Sequence, residues 1–257
     1  MLTAAPWVFV RGNHESCARA EQGWYRFLDA LPWSSERSCD DARNDPVADF
    51  NVPYAVKITG DTQIIVFDAT FSGGNAYKST DSAFIQYTQA LREVARLQQG
   101  ARQNWLVNHH PILGFTPAAA GAVRPGSASL QSALASAAPQ RYFRAGISLA
   151  LHRHVHLFEA ISFASPHPAT LVVGNSGSLP GYTLNNRLPT DARPAPQALV
   201  KQFSTHPGFG FSVLDKVDPS GADSGWNLTA FHVAGRALLR CMLRDADMSC
   251  TQVVTAP

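Results

Sequence analysis

The sequence has no apolar run approaching the roughly 20 residues that span a bilayer, so no membrane segment is expected. Charge of either sign is scarce. The 21 Lys and Arg residues against 19 Asp and Glu leave a formal net charge of +2, with no basic run to track a phosphate backbone. A nucleic-acid partner is therefore not predicted. No His-Glu-x-x-His occurs, which disfavours a zincin protease, and no glycine-rich segment is followed by the lysine of a phosphate loop. Met1 to Pro6 carries neither a basic region nor a clear cleavage site, so it does not read as a signal peptide. It reads as the end of a loop entering a strand, and the sequence as the interior of a longer protein.

What remains is an ordinary globular composition. Hydrophobic residues make up 45% and charged residues 16% of 257, enough to bury a core and too apolar for a disordered chain. The 4 cysteines fall into two local pairs, Cys17 with Cys39 and Cys241 with Cys250. Neither pair has the two-to-four-residue gap of a zinc knuckle. Two short disulfide loops are expected instead, favouring a periplasmic or secreted location.

Three histidine clusters stand out, each after a run of strand-forming residues. Gly12-Asn13-His14-Glu15 follows Pro6 to Val10, Asn108-His109-His110-Pro111 follows Trp105 to Val107, and His154-Val155-His156 follows Ile147 to Leu151. Imidazoles at strand ends suit borderline-soft cations such as zinc, iron and manganese. Asn13 offers a neutral amide oxygen, and His14 beside it is placed to act as a general acid or charge stabiliser. His152, His167, His206 and His232 read as structural. Gly174 to Gly177 reads equally as pocket wall or ordinary turn.

The periodicity predicts a buried strand over 6–11, a helix over 16–31 with Trp24, Phe27 and Leu28 on one stripe, and a long loop over 32–50. Strands follow at 52–58 and 62–68, then a helix over 82–97 stopped by Gly100. Strands are expected at 104–108, 146–151 and 169–173, with hairpins from about 210 to 250. Segments 116–139, with a short helix at 130–137, and 176–200 read as irregular surface excursions, the former lid-like. Strands alternating with helices early and hairpins late suggest an α/β sandwich of two mixed sheets flanked by helices.

In order and position, Gly-Asn-His-Glu, His-His-Pro and His-x-His resemble the motifs of the calcineurin-like metallophosphoesterases. The resemblance covers most of residues 6–177. It implies one phosphoesterase domain over 1–257, incomplete at its N-terminus and missing its first strands, that hydrolyses a small phosphate ester by metal-activated water. It also implies that Asn13, His109 and His154 hold one metal, that His156 holds a second, and that His14 assists at the phosphate. His110 is read as supporting rather than ligating. The metals implied are two divalent or trivalent transition ions (Mn, Fe or Zn) about 3.5–4 Å apart.

Two departures from the family pattern bear on chemistry. The Asp-x-His and Gly-Asp motifs that precede Gly-Asn-His in the family are absent, and Asp68 comes too late in the chain to count as a replacement. Arg153 stands where the family has glycine. Two divalent ions 4 Å apart repel by roughly 17 kcal/mol even at an effective dielectric near 20. Asn13, His109, His154 and His156 bring no negative charge to offset this. The expectation is at most one weakly held ion and poor turnover. The alternative is a remnant that keeps a partial metal site and no catalysis.

Overall fold

A computed structural model describes residues 5–35, 39, 49–138, 146–177, 183–185, 187–189, 191–217 and 225–253. Its centre is a mixed sheet built from seven strands: β1 (Tyr54–Lys57), β2 (Thr62–Val66), β3 (Gln103–Val107), β6 (Ile147–His152), β7 (Phe158–Phe163), β8 (Ala169–Val173) and β9 (Val200–His206). Their order is β1-β2-β3-β6-β8-β7-β9. The inner pairs β2/β3, β3/β6 and β6/β8 are parallel, and the outer pairs are antiparallel. A parallel centre needs crossovers, and the first is helix α3 (Ser82–Leu97) between β2 and β3.

The two faces of this sheet are read from alternation along each strand. Ile65, Leu106, Ile161 and Val172 point into a cluster shared with α3 and with α4 (Ala128–Ala137). Tyr87, Leu91 and Val94 form the buried stripe of α3, and Leu130, Ala133 and Leu134 that of α4. Trp105, Leu149, Ala160 and Leu171 point the other way, into a second cluster. That cluster is closed by an antiparallel sheet of β10 (Gly210–Lys216), β11 (Trp226–His232), β12 (Ala237–Arg244) and β13 (Asp247–Gln252). Trp105 and Trp226 meet edge to face at 4.6 Å between ring centres, joining the two sheets.

The layers are thus helices, seven strands and four strands. The sandwich is as expected, but the second sheet is purely antiparallel, and α3 and α4 share one face of the larger sheet. A small ribbon, β4 (Thr116–Pro117) with β5 (Val123–Arg124), lies between β3 and α4. Both disulfides are formed. Cys17–Cys39 staples the N-terminal region, and Cys241–Cys250 joins directly opposed residues of β12 and β13.

Several local expectations are corrected. Residues 6–11 are not a strand: they pair with neither sheet, and Trp7 is half exposed. The sheet ends instead on β1, Tyr54–Lys57. The helix expected over 16–31 breaks into α1 (Cys17–Ala20) and α2 (Gly23–Phe27), which bury Trp24 and Tyr25 and leave Phe27 79% exposed. Segment 116–139 is not simply a lid, because α4 packs into the core. Most of the expected loop at 32–50 lies outside the described residues.

Candidate metal centre

The parallel centre of the sheet places two cluster-bearing loops side by side. The carboxyl ends of such strands are where ligand sites form in α/β sheets. Hydrogen bonding between β3 and β6 continues past the strand ends: Asn108 N–H donates to Leu151 O at 3.1 Å, and Arg153 N–H donates to His109 O at 2.9 Å. This extension carries His109, His110 and His154 into contact. Their ring centres lie 5.0 Å (109 to 110), 5.1 Å (109 to 154) and 4.0 Å (110 to 154) apart. One ligand atom from each lies within 4.8 Å of the others, and among the described residues no carboxylate joins the group.

Asn13 reaches the same point from a different part of the chain. Its Oδ1 lies 2.9 Å from His109 Nε2, and His154 Nδ1 lies 3.2 Å from that nitrogen. These are the separations of neighbouring ligand atoms around a transition metal. Bonds of about 2.0–2.1 Å give edges of about 3.0 Å in an octahedron and about 3.3 Å in a tetrahedron. The donors suit an ion in their chemistry, and the two separations from His109 Nε2 suit neighbouring positions around one.

Of the other predicted residues, His14 is exposed but close enough to disfavour a charge on His109 and His154. His156 is exposed and beside His154, outside the mutually close group. His110, read from sequence as a supporting residue, belongs to that group. Its Nδ1 donates to Ala69 O at 2.8 Å, which leaves Nε2 with a free lone pair.

The electrostatics keep these imidazoles neutral. Burial, then the neighbouring His110 and His154, lowers His109 to about 3. Burial and His154 lower His110 to about 4. Burial, His156 and His14 lower His154. Neutral imidazole is the form that binds metal, so no proton has to leave these rings at neutral pH. Arg153 is exposed, and its charge adds to the depression of His109 without occupying the cluster.

The backbone around the cluster is shaped by close approach. A Cβ at Gly12 would lie 2.8 Å from both Glu15 Oε2 and the His109 ring, so only glycine lets this loop press against the histidine. Glu15 turns its carboxylate back to accept from Gly12 N–H at 2.9 Å, closing its own loop. His154 has φ of 55°, the left-handed region that non-glycine residues rarely occupy.

Sequence reasoning missed what holds Asn13 in place. Arg11, 1% exposed, forms ion pairs with Asp49 and with Asp68 just beyond β2, the latter at 3.4 Å. Its guanidinium also lies 5.1 Å from the centre of the Tyr25 ring. Asp68, raised by burial and lowered by Arg11, further accepts from Asn51 N–H and Thr70 N–H. Asp68 is committed to this network and does not serve the histidines. Gly174 presses on the backbone of the third cluster, where the Val155 carbonyl leaves no room for a Cβ, whereas Asn175 donates to Gly208 O and lines a separate cavity of about 200 Å³ between the sheets.

No protein-family model matches the sequence, and no curated protein matches it. The solved structures similar to it include purple acid phosphatase PPD1 from yellow lupin (Lupinus luteus) seeds, at 16% identity and a TM-score of 0.44 over 78% of this chain and 32% of that one. PhoD is similar at 10% identity and a TM-score of 0.41, over 93% of this chain and 49% of that one. The chain therefore spans about a third of the first structure and about half of the second.

Proposed function

We propose that this chain is a metal-dependent phosphoesterase domain whose site holds a single transition-metal ion through Asn13, His109 and His154. The observation that carries the proposal is that Asn13 Oδ1 and His154 Nδ1 each lie within hydrogen-bond distance of His109 Nε2, from three segments far apart in sequence. His110, with its Nδ1 fixed by Ala69, and His156 on the outer side complete the set of candidate donors.

When bound, the ion supplies Lewis acidity at a phosphoryl oxygen. The chain's own residues do the rest. Asn13 and the histidines set the position of that acidity, and His14, exposed at the rim, holds or delivers a proton at the ester. Arg11 positions Asn13 through Asp68 and Asp49. A second ion beside the first is disfavoured, because the donor set is neutral and roughly 17 kcal/mol of repulsion would go uncompensated. The expected chemistry is slow hydrolysis of small phosphate esters, with a binding-only remnant as the second reading, favoured by the same lack of a carboxylate in the cluster. Two disulfides suit an exported protein acting outside the reducing cytosol.

The test is hydrolysis of an aryl phosphate with added Mn²⁺ or Zn²⁺ by the wild type, His109→Ala and His154→Ala. Metal-dependent turnover lost in both variants supports the hydrolase. Metal binding without turnover, lost in both variants, supports the remnant. Turnover indifferent to both substitutions removes the site.

A further inference from the structure

A cavity of about 660 Å³ opens beside the histidines and runs away from them. His110 and His154 line its inner end. Gly73 and Asn75 form one wall, and the β4–β5 ribbon with Thr116 and Arg124 forms the other. The volume lies within the range of small-ligand sites, roughly 300–1,000 Å³. Among the described residues that line it none is Asp or Glu, and Arg124 is the one formal charge. Arg124 is exposed on β5 and has no carboxylate partner among the described residues. An unpaired guanidinium in a cavity wall is a ready fork for an oxyanion. The first turn of α4, at Ser127 and Ala128, lines the same space and adds positive potential.

We infer that Arg124 is the specificity-determining residue of this site, selecting phosphate esters whose leaving group carries a second oxyanion, a carboxylate or a phosphate. This rests on the phosphoesterase reading: the phosphoryl group lies at His110 and His154, and the leaving group extends along the cavity to Arg124. The ribbon is short, with two paired residues on each side, so it presents Arg124 over the cavity without filling it.

The experiment is calorimetric binding of uncleavable probes to the Mn²⁺-loaded chain. Phosphonopropionate and phosphonohexanoate are each compared with the alkylphosphonate of the same length, and alkane diphosphonates test phosphate as the second anion. The wild type is expected to prefer the dianionic probes about fivefold, the scale of one partly exposed charged pair. Whichever of carboxylate and diphosphonate binds tighter identifies the preferred oxyanion. Arg124→Gln removes the preference and leaves alkylphosphonate affinity unchanged, while Arg124→Lys retains part of it. His109→Ala weakens all probes alike. A wild type without preference, a preference that survives in Arg124→Gln, or an equal loss of every probe in Arg124→Gln overturns the inference and leaves the phosphoesterase reading standing. A preference that depends on Arg124 but is indifferent to His109→Ala removes the metal reading and keeps Arg124 as an anion site. No binding of any probe overturns both.

Discussion

Asn13 Oδ1 lies 2.9 Å from His109 Nε2, although the two residues are 96 positions apart in sequence. Such a contact between a loop and a strand end is held only if both backbones are fixed. The His109 side is fixed by the parallel pairing of β3 and β6, and the Asn13 side by Arg11. Asn13→Ala removes an oxygen donor and leaves the histidines in place. Titration calorimetry with Mn²⁺ is expected to show at least a tenfold loss of affinity at unchanged stoichiometry. An unchanged affinity means Asn13 merely accepts a hydrogen bond from His109.

Arg11 carries the positioning argument. It is buried between Asp49 and Asp68, so Arg11→Met strands two carboxylates in the interior. Breaking such a pair costs about 3–5 kcal/mol. Urea unfolding of Arg11→Met is expected to show a loss of that order, and the folded fraction is expected to bind metal more weakly. A loss below about 1 kcal/mol would mean that water reaches the pair and that the loop is held by other contacts.

His154 sits at φ of 55°. His154→Gly relieves a backbone cost of about 1 kcal/mol while removing a ligand. The variant is expected to unfold at higher urea and to lose metal binding. A lower unfolding midpoint would show that the imidazole's packing outweighs the strain.

Glu159 gives the pH dependence. It lies on β7, fully buried; one oxygen accepts from Phe115 N–H at 3.0 Å and the other is without a partner among the described residues. Burial raises its carboxyl from 4.5 to about 8. The folded state therefore holds this proton more tightly than the unfolded chain. Its contribution to stability is complete below about 4.5 and is lost as pH rises to about 8. The slope in that window is on the order of 1.4 kcal/mol per pH unit. Glu159→Gln, which cannot ionise, is expected to flatten it. Urea midpoints for both proteins across this range check the sign, and parallel profiles would contradict it.

The parts of the fold that were legible in the sequence have strong local periodicity. Helix α3 coincides with its expected span because Tyr87, Leu91 and Val94 recur at helical steps and Gly100 follows. Strand β8 is legible as a run of four apolar residues and Thr170, rich in strand formers. Strand β7 was missed: Phe158-Glu159-Ala160-Ile161-Ser162-Phe163 is buried on both faces, so it shows no alternation, and its Glu and Ser look like surface residues. The opposite error arose at Trp7 to Val10, apolar enough for a strand but with no neighbour to pair with. In the site, the motifs pointed to Asn13, His109 and His154, which the structure brings together. The place of His110 in the cluster depends on Ala69, and the role of Arg11 on Asp49 and Asp68. Those partners are 41, 38 and 57 positions away, and no local pattern reports such distances.

The most direct test of the single-ion account is the metal content of the purified chain, saturated with Mn²⁺ or Zn²⁺ and then dialysed, measured by plasma emission alongside protein concentration. The account predicts no more than one ion per chain, removed by mild chelation and absent from His109→Ala. Two ions per chain that resist chelation would contradict it.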